Sequence, residues 1–196
     1  MKKMNRETWL MKGIEAVRPM FEELGATIPE KVRVTCGWPS RSAGASKKRR
    51  IGECWSSSVS GDGTAEIIIS MVLEDPITVL DVLVHELVHA ALPDGTGHGP
   101  KFRKLALALG LTGKMTATEA GPELEAKLKK IYKKLGEYPH AKLDFSNVKK
   151  AGTRMIKAAC PTCGYTVRLS RKWIEVATPR CPDVTCIDFD AEMEVS

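Results

Sequence analysis

The fold class this sequence predicts is an α+β domain followed by a small β module, and three observations predict it. Helical periodicities over residues 6–24, 76–92, 100–109 and 122–135 alternate with short strand-like runs at 31–36, 51–55 and 64–70. Two cysteine pairs, Cys160/Cys163 and Cys181/Cys186, then stand about twenty residues apart in a C-terminal stretch with strand-like segments between them. The expected layout is a helix packed on a small antiparallel sheet, a second helix across it, and further helices closing a cleft. In domain terms, 1–135 is the main domain, 136–156 a linker and 157–196 the cysteine module with an acidic tail.

The first helix rests on Trp9, Leu10, Ile14, Val17, Met20, Phe21 and Leu24, spaced by three and four residues, with Gly25 as a stop. Its apolar stripe should pack under the 76–92 helix. The run 31–36 alternates as a strand does, and 51–55 can pair with it as a hairpin. The loop between them holds Trp38 and five positive charges, Arg41, Lys47, Lys48, Arg49 and Arg50, with no acidic residue. That loop reads equally as a solvated hairpin tip or as a nucleic-acid contact with an aromatic ring to stack on a base.

A turn at Gly61-Asp62-Gly63 leads into the strand at 64–70, centred on Ile67-Ile68-Ile69. Glu74-Asp75-Pro76 then suits a helix first turn, and Pro93-Asp94-Gly95 breaks that helix. Within it lies His85-Glu86-Leu87-Val88-His89. Positions i and i+4 share a helix face, so His85 and His89 can offer two imidazole nitrogens to one metal ion with Glu86 beside them. With 4 His and 16 Glu in 196 residues, chance would supply this pattern in roughly 0.006 chains of such composition. A third histidine, His98, follows in Gly97-His98-Gly99-Pro100-Lys101-Phe102. Zinc suits three neutral imidazoles, and it lowers the pKa of a bound water to about 7, where a carboxylate such as Glu86 can take the proton. This is the chemistry of a zincin: His85, His89 and His98 as ligands of a catalytic zinc, Glu86 as general base.

Beyond His98, residues 100–109 form a helix with Phe102, Leu105, Ala106 and Leu109 on one face, ended by Gly110. Another covers 122–135, whose lysines, balanced in part by Glu123 and Glu125, make a solvated face. Residues 136–150 have little apolar periodicity and read as linker, with His140 a surface histidine. In the final module, 166–169 and 172–176 read as strands between two knuckles, the layout of a β zinc ribbon. Cys160, Cys163, Cys181 and Cys186 would close a tetrahedral thiolate shell around a structural zinc. The second knuckle has four residues between its cysteines where two is usual, and paired disulfides or a ribbon that binds no zinc are the alternatives. Some forty residues hold too little core to fold alone, so the metal would supply the missing free energy. Cys36 and Cys54 read as buried reduced thiols.

The formal charge is +6, unevenly placed: 12 basic and 6 acidic residues in 1–60, 9 and 3 in 136–180, but 9 and 10 in 61–135 and 0 and 5 in 181–196. Basic flanks suit a polyanion or simply a solvated face. The ribbon adds Arg171 and Lys172 to the candidate nucleic-acid contacts. No apolar run reaches membrane-spanning length and the N-terminus lacks an apolar leader, so a cytoplasmic protein without a membrane partner is expected.

On His85-Glu86-Leu87-Val88-His89-Ala90, on His98-Gly99-Pro100-Lys101-Phe102 and on the order of elements before them, the chain resembles the SprT-like metalloproteases, the Spartan-related family, in the short form of phages and bacteria. The resemblance extends through the ribbon. It implies a zinc-dependent endopeptidase acting on proteins attached to DNA, with His85, His89 and His98 at the ligand positions and Glu86 at that of the general base. The alternative reading, from another class, is a non-catalytic DNA-binding module in which both zinc sites only hold the fold.

Overall fold

The computed structural model describes residues 4–41, 49–144 and 155–196 of the chain. They form two compact units, one ending at Asp144 and the other beginning at Phe145. Both mix helices with small sheets, and among the described residues no helix is long and apolar enough to cross a membrane.

In the first unit, α1 (Arg6–Glu22) starts where the Asn5 side chain accepts from Thr8 N at 2.8 Å, and it buries Trp9, Leu10, Ile14, Val17 and Phe21. Gly13 faces the helix that carries the histidine motif. A Cβ there would lie 3.2 Å from the Cδ2 atoms of Leu80 and Leu83, so α1 packs against that helix as closely as a missing side chain allows.

Three strands follow: β1 (Val32–Gly37), β2 (Gly52–Trp55) and β3 (Ala65–Ser70), in the order β1-β3-β2. The expected β1–β2 hairpin does not form. Instead β3 takes the centre, parallel to β1 with Val34 opposite Ile67, and antiparallel to β2 with Cys54 opposite Ile67. The cause is apolarity: Ile67 and Ile69 are buried, and the most apolar strand occupies the position paired on both edges. The long connection from β1 to β3 supplies the crossover that a parallel pair needs and holds β2 on the way. The sheet is therefore mixed, and β2 is left as an edge strand.

Helix α2 (Pro76–Ala90) begins with Asp75 accepting from Thr78 N at 2.8 Å and with Pro76 at the first helical position. It is followed by α3 (Pro100–Leu109), a hairpin of β4 (Leu111–Lys114) and β5 (Ala117–Ala120), and α4 (Pro122–Leu135). The hairpin has no counterpart in the sequence reading, because its strands are four residues long and mostly exposed. A single core joins α1, the sheet, α2, α3 and α4.

The linker does not begin at residue 136. Trp9 Nε1 donates to Gly136 O at 2.9 Å, and Tyr138 is buried with its ring centroid 4.9 Å from that of Trp9. His140 is no loose surface side chain either: its Nε2–H donates to Met71 O at 2.9 Å, and its Nδ1 accepts from Arg6 at 3.2 Å. Leu143 N donates to Met71 O at 2.9 Å. Such long-range contacts leave no trace in local periodicity.

The second unit has β6 (Met155–Ala159), β7 (Thr166–Ser170), α5 (Arg171–Val176) and β8 (Glu194–Val195), with sheet order β7-β6-β8. Residues 172–176, expected as a strand, belong to α5. The place beside β6 is filled by β8, from the acidic tail, with Ala158 opposite Val195.

Candidate metal centres

Two groups of side chains able to hold a metal ion converge among the described residues, one in each unit. In the first, α2 turns His85 and His89 to one face with ring centroids 5.2 Å apart. After Ala91 the chain turns through Gly95 and Gly97, at φ 74° and 52°, and brings His98 back against both. Left-handed backbone of this kind strains any residue with a side chain, so the short return depends on these two glycines. His98 Nε2 stands 3.2 Å from His89 Nε2 and 3.3 Å from His85 Nε2. Nitrogens bound tetrahedrally at about 2.0–2.1 Å from one ion lie about 3.3 Å apart, so the spacing fits a shared metal.

The surroundings fix this arrangement. Phe102, fully buried in α3, forms the floor, with its ring centroid 5.0, 4.4 and 4.9 Å from those of His85, His89 and His98. With Nε2 of His85 turned to the other histidines, its Nδ1–H donates to Thr118 Oγ1 of β5 at 2.7 Å, the kind of outer contact that orients a ligand ring. The same bond ties the β4–β5 hairpin to α2. Burial, with the neighbouring imidazoles adding to it, lowers His85 to about 4 and His89 to about 3. Burial also lowers His98, helped by the positive charge of Arg50. All three are thereby kept neutral, the form that ligates a metal.

Glu86 sits beside the histidines but is no part of their group. It is 6 % exposed, and burial pushes its carboxyl up to about 8 against the opposing charge of Arg50. Its wall is the backbone of Gly52 in β2. A Cβ at that position would lie 2.6 Å from Val82 Cγ1 and 2.9 Å from Glu86 Cγ, and would strike Glu86 Oε1. Gly52→Ala should therefore destabilise the first unit by about 1–3 kcal/mol, the usual cost of overpacking. Chemical denaturation measures this directly, and a wild-type midpoint would show that α2 and β2 can move apart freely.

In the second unit, Cys160, Cys163, Cys181 and Cys186 converge. Cys160 Sγ lies 3.9 Å from Cys186 Sγ, and Cys163 Sγ lies 3.6 Å from Cys181 Sγ. Thiolates about 2.3 Å from a tetrahedral ion are about 3.8 Å apart, so this group fits a metal as well. The separations are far from the S–S bond of about 2.05 Å that the disulfide alternative requires. The longer second knuckle is absorbed by a turn in which Cys186 N donates to Asp183 O at 2.9 Å while the Asp183 side chain accepts from Thr185 N at 2.9 Å. Backbone N–H groups, that of Cys163 foremost, pull the Cys160 thiol down to about 7, while burial among the other thiols pushes Cys181 and Cys186 up. Cys36 is buried and Cys54 half-buried, both as free thiols.

No family model, curated protein or solved structure matches this chain.

The candidate nucleic-acid residues scatter. Arg41, Arg49 and Arg50 line the cleft that also holds His85, Glu86 and His98, while Lys47 and Lys48 lie outside the described residues. Arg171 and Lys172 open α5, where Lys172 Nζ lies 5.1 Å from the ring centroid of the exposed Trp173. Gly52, Thr118 and the role of Phe102 carry no motif. Gly52 could have been flagged as a glycine inside a strand pattern, a sign of close backbone approach.

Proposed function

We propose that the first unit is a zinc-dependent endopeptidase of the SprT-like kind, acting on DNA-associated proteins, with a structural zinc in the second unit. The observation that carries this reading is the convergence of three neutral imidazoles at tetrahedral spacing beside a buried carboxylate that is not itself a ligand. A purely structural metal has no use for Glu86 at that place.

When bound, zinc would supply a Lewis acid and an acidified water. The chain's residues do the rest. His85, His89 and His98 would hold the ion through their Nε2 atoms, with Thr118 keeping the His85 ring in orientation and Phe102 closing the site from below. The Glu86 carboxyl, which a bound cation would draw back to its ionised form, would take a proton from the attacking water and deliver it to the leaving amide nitrogen. Because β2 is an edge strand and its residues Gly52, Glu53, Cys54 and Trp55 line the cleft, an extended substrate segment can lie along it as an added strand. Association with DNA is supported by Arg41 and Arg49 along the cleft and by the exposed Lys172, Tyr165 and Trp173 of the second unit.

The test is incubation of zinc-loaded protein with a DNA-binding protein substrate, alone and with single-stranded or duplex DNA, read as cleavage on a gel. Cleavage should be abolished by a chelator, restored by zinc, and increased by DNA. Absence of cleavage under every condition would favour the non-catalytic DNA-binding module.

A further inference from the structure

Arg50 belongs by sequence to the basic loop, yet its side chain is committed elsewhere. It donates through Nη1 to Glu53, a carboxylate 6 % exposed on β2 that also accepts from Ser40 N at 2.7 Å and Ser40 Oγ at 2.6 Å. Although burial pushes the Glu53 carboxyl up, the donors Ser40 and Arg50 keep it below its ordinary value, so the anchor stays charged. Arg50 lies two residues from Gly52, the wall of Glu86, and lines the cleft with His85 and His98. Its charge reaches both Glu86 and His98.

We propose that Arg50 is a catalytic residue, whose guanidinium, held in place by Glu53 and Ser40, receives the oxygen of the scissile carbonyl as negative charge develops on it. The assignment rests on the endopeptidase reading. A guanidinium has five N–H donors in a planar fork, and among the described residues Arg50 uses Nη1 on Glu53, which leaves donors for a second oxygen. The side chain is 44 % exposed, and the cleft is the space it opens to. A mere salt bridge is a poor explanation, because burying Glu53 on an edge strand gains little stability over an apolar residue. A phosphate is the poorer ligand too, since the charged Glu53 carboxylate already stands against the guanidinium, whereas a carbonyl oxygen gaining partial charge needs only a fixed donor.

The experiment uses full-length zinc-loaded protein, R50Q and R50K, a peptide substrate, and a phosphinic peptide whose tetrahedral anionic group copies the charge at the reacting carbon. R50Q should lower kcat by about 10²- to 10³-fold while KM stays within about threefold. R50K, keeping charge without the fork, should recover about tenfold of that loss. Calorimetry should show R50Q binding the phosphinic peptide about 10²- to 10³-fold more weakly, with zinc affinity by chelator competition unchanged. E53Q, which loosens the anchor, should lower kcat with the same split.

Wild-type kcat and phosphinic affinity in R50Q overturn the role of Arg50 and leave the endopeptidase reading standing. A rise in KM alone makes Arg50 a substrate side-chain contact, and a loss of DNA affinity with kcat intact returns it to the basic loop. Both outcomes overturn the proposal. A wild-type protein that neither cleaves peptides nor binds the phosphinic peptide overturns the endopeptidase reading itself, and this assignment with it.

Discussion

Replacing Glu86 by glutamine is expected to lower peptide hydrolysis by about 10²- to 10⁴-fold, the usual worth of a positioned general base. Metal content should remain that of the wild type, because the three imidazoles converge without it. Glutamine keeps the shape that fits against Gly52 and Val82, so the variant should fold and melt normally. What it loses is the ability to accept a proton. Turnover and zinc measured on the same preparation decide the matter. Retained turnover would remove Glu86 from the reaction, and lost zinc would mean that the carboxylate supports the ion.

Cys160→Ser should have the larger effect on structure. Among its described residues the second unit buries Ala158, Cys160, Cys181, Cys186 and Met193 as its apolar core, and three of those five are candidate ligands. So small a core cannot offset the conformational entropy of its residues. A bound structural zinc contributes on the order of 10–16 kcal/mol at neutral pH, which makes holding the metal and folding one event. The variant should lose one equivalent of metal and the dispersed amide resonances of β6, β7 and β8, while the melting of the first unit stays put. A serine variant with two metals per chain, or with an ordered second unit, would contradict this.

Much of the candidate site was legible in the sequence because its ligands are local. His85 and His89 are fixed by the helical repeat, and glycines mark the return of His98. The two cysteine knuckles are equally short-range, and the turn at Asp183 accommodates the unusual spacing of the second. What escaped is everything set by residues distant in sequence. The order β1-β3-β2 depends on which strand is most apolar in context, and a hairpin was the nearer guess for neighbours in the chain. Thr118 reaches His85 across 33 residues, and Gly52 matters only because α2 crosses it. The segment 172–176 lacks clear alternation and folds as α5, while β8, from the far end of the chain, takes the edge of β6. Proximity in sequence groups Arg50 with its charged neighbours, whereas Glu53 three residues on holds its side chain.

The tie between Arg6 and His140 spans 134 residues, and Trp9 is closed over by Gly136 and Tyr138. Seen from the ribosome, this places the completion of the first unit late. Helix α1 cannot be closed over at Trp9 until the chain has been made past residue 138, although the rest of its apolar stripe can pack on α2 sooner. Closing such long loops raises the contact order and slows the final step. A nascent chain halted at Leu135 would hold both helices of the histidine site and still lack the piece that seals its first helix.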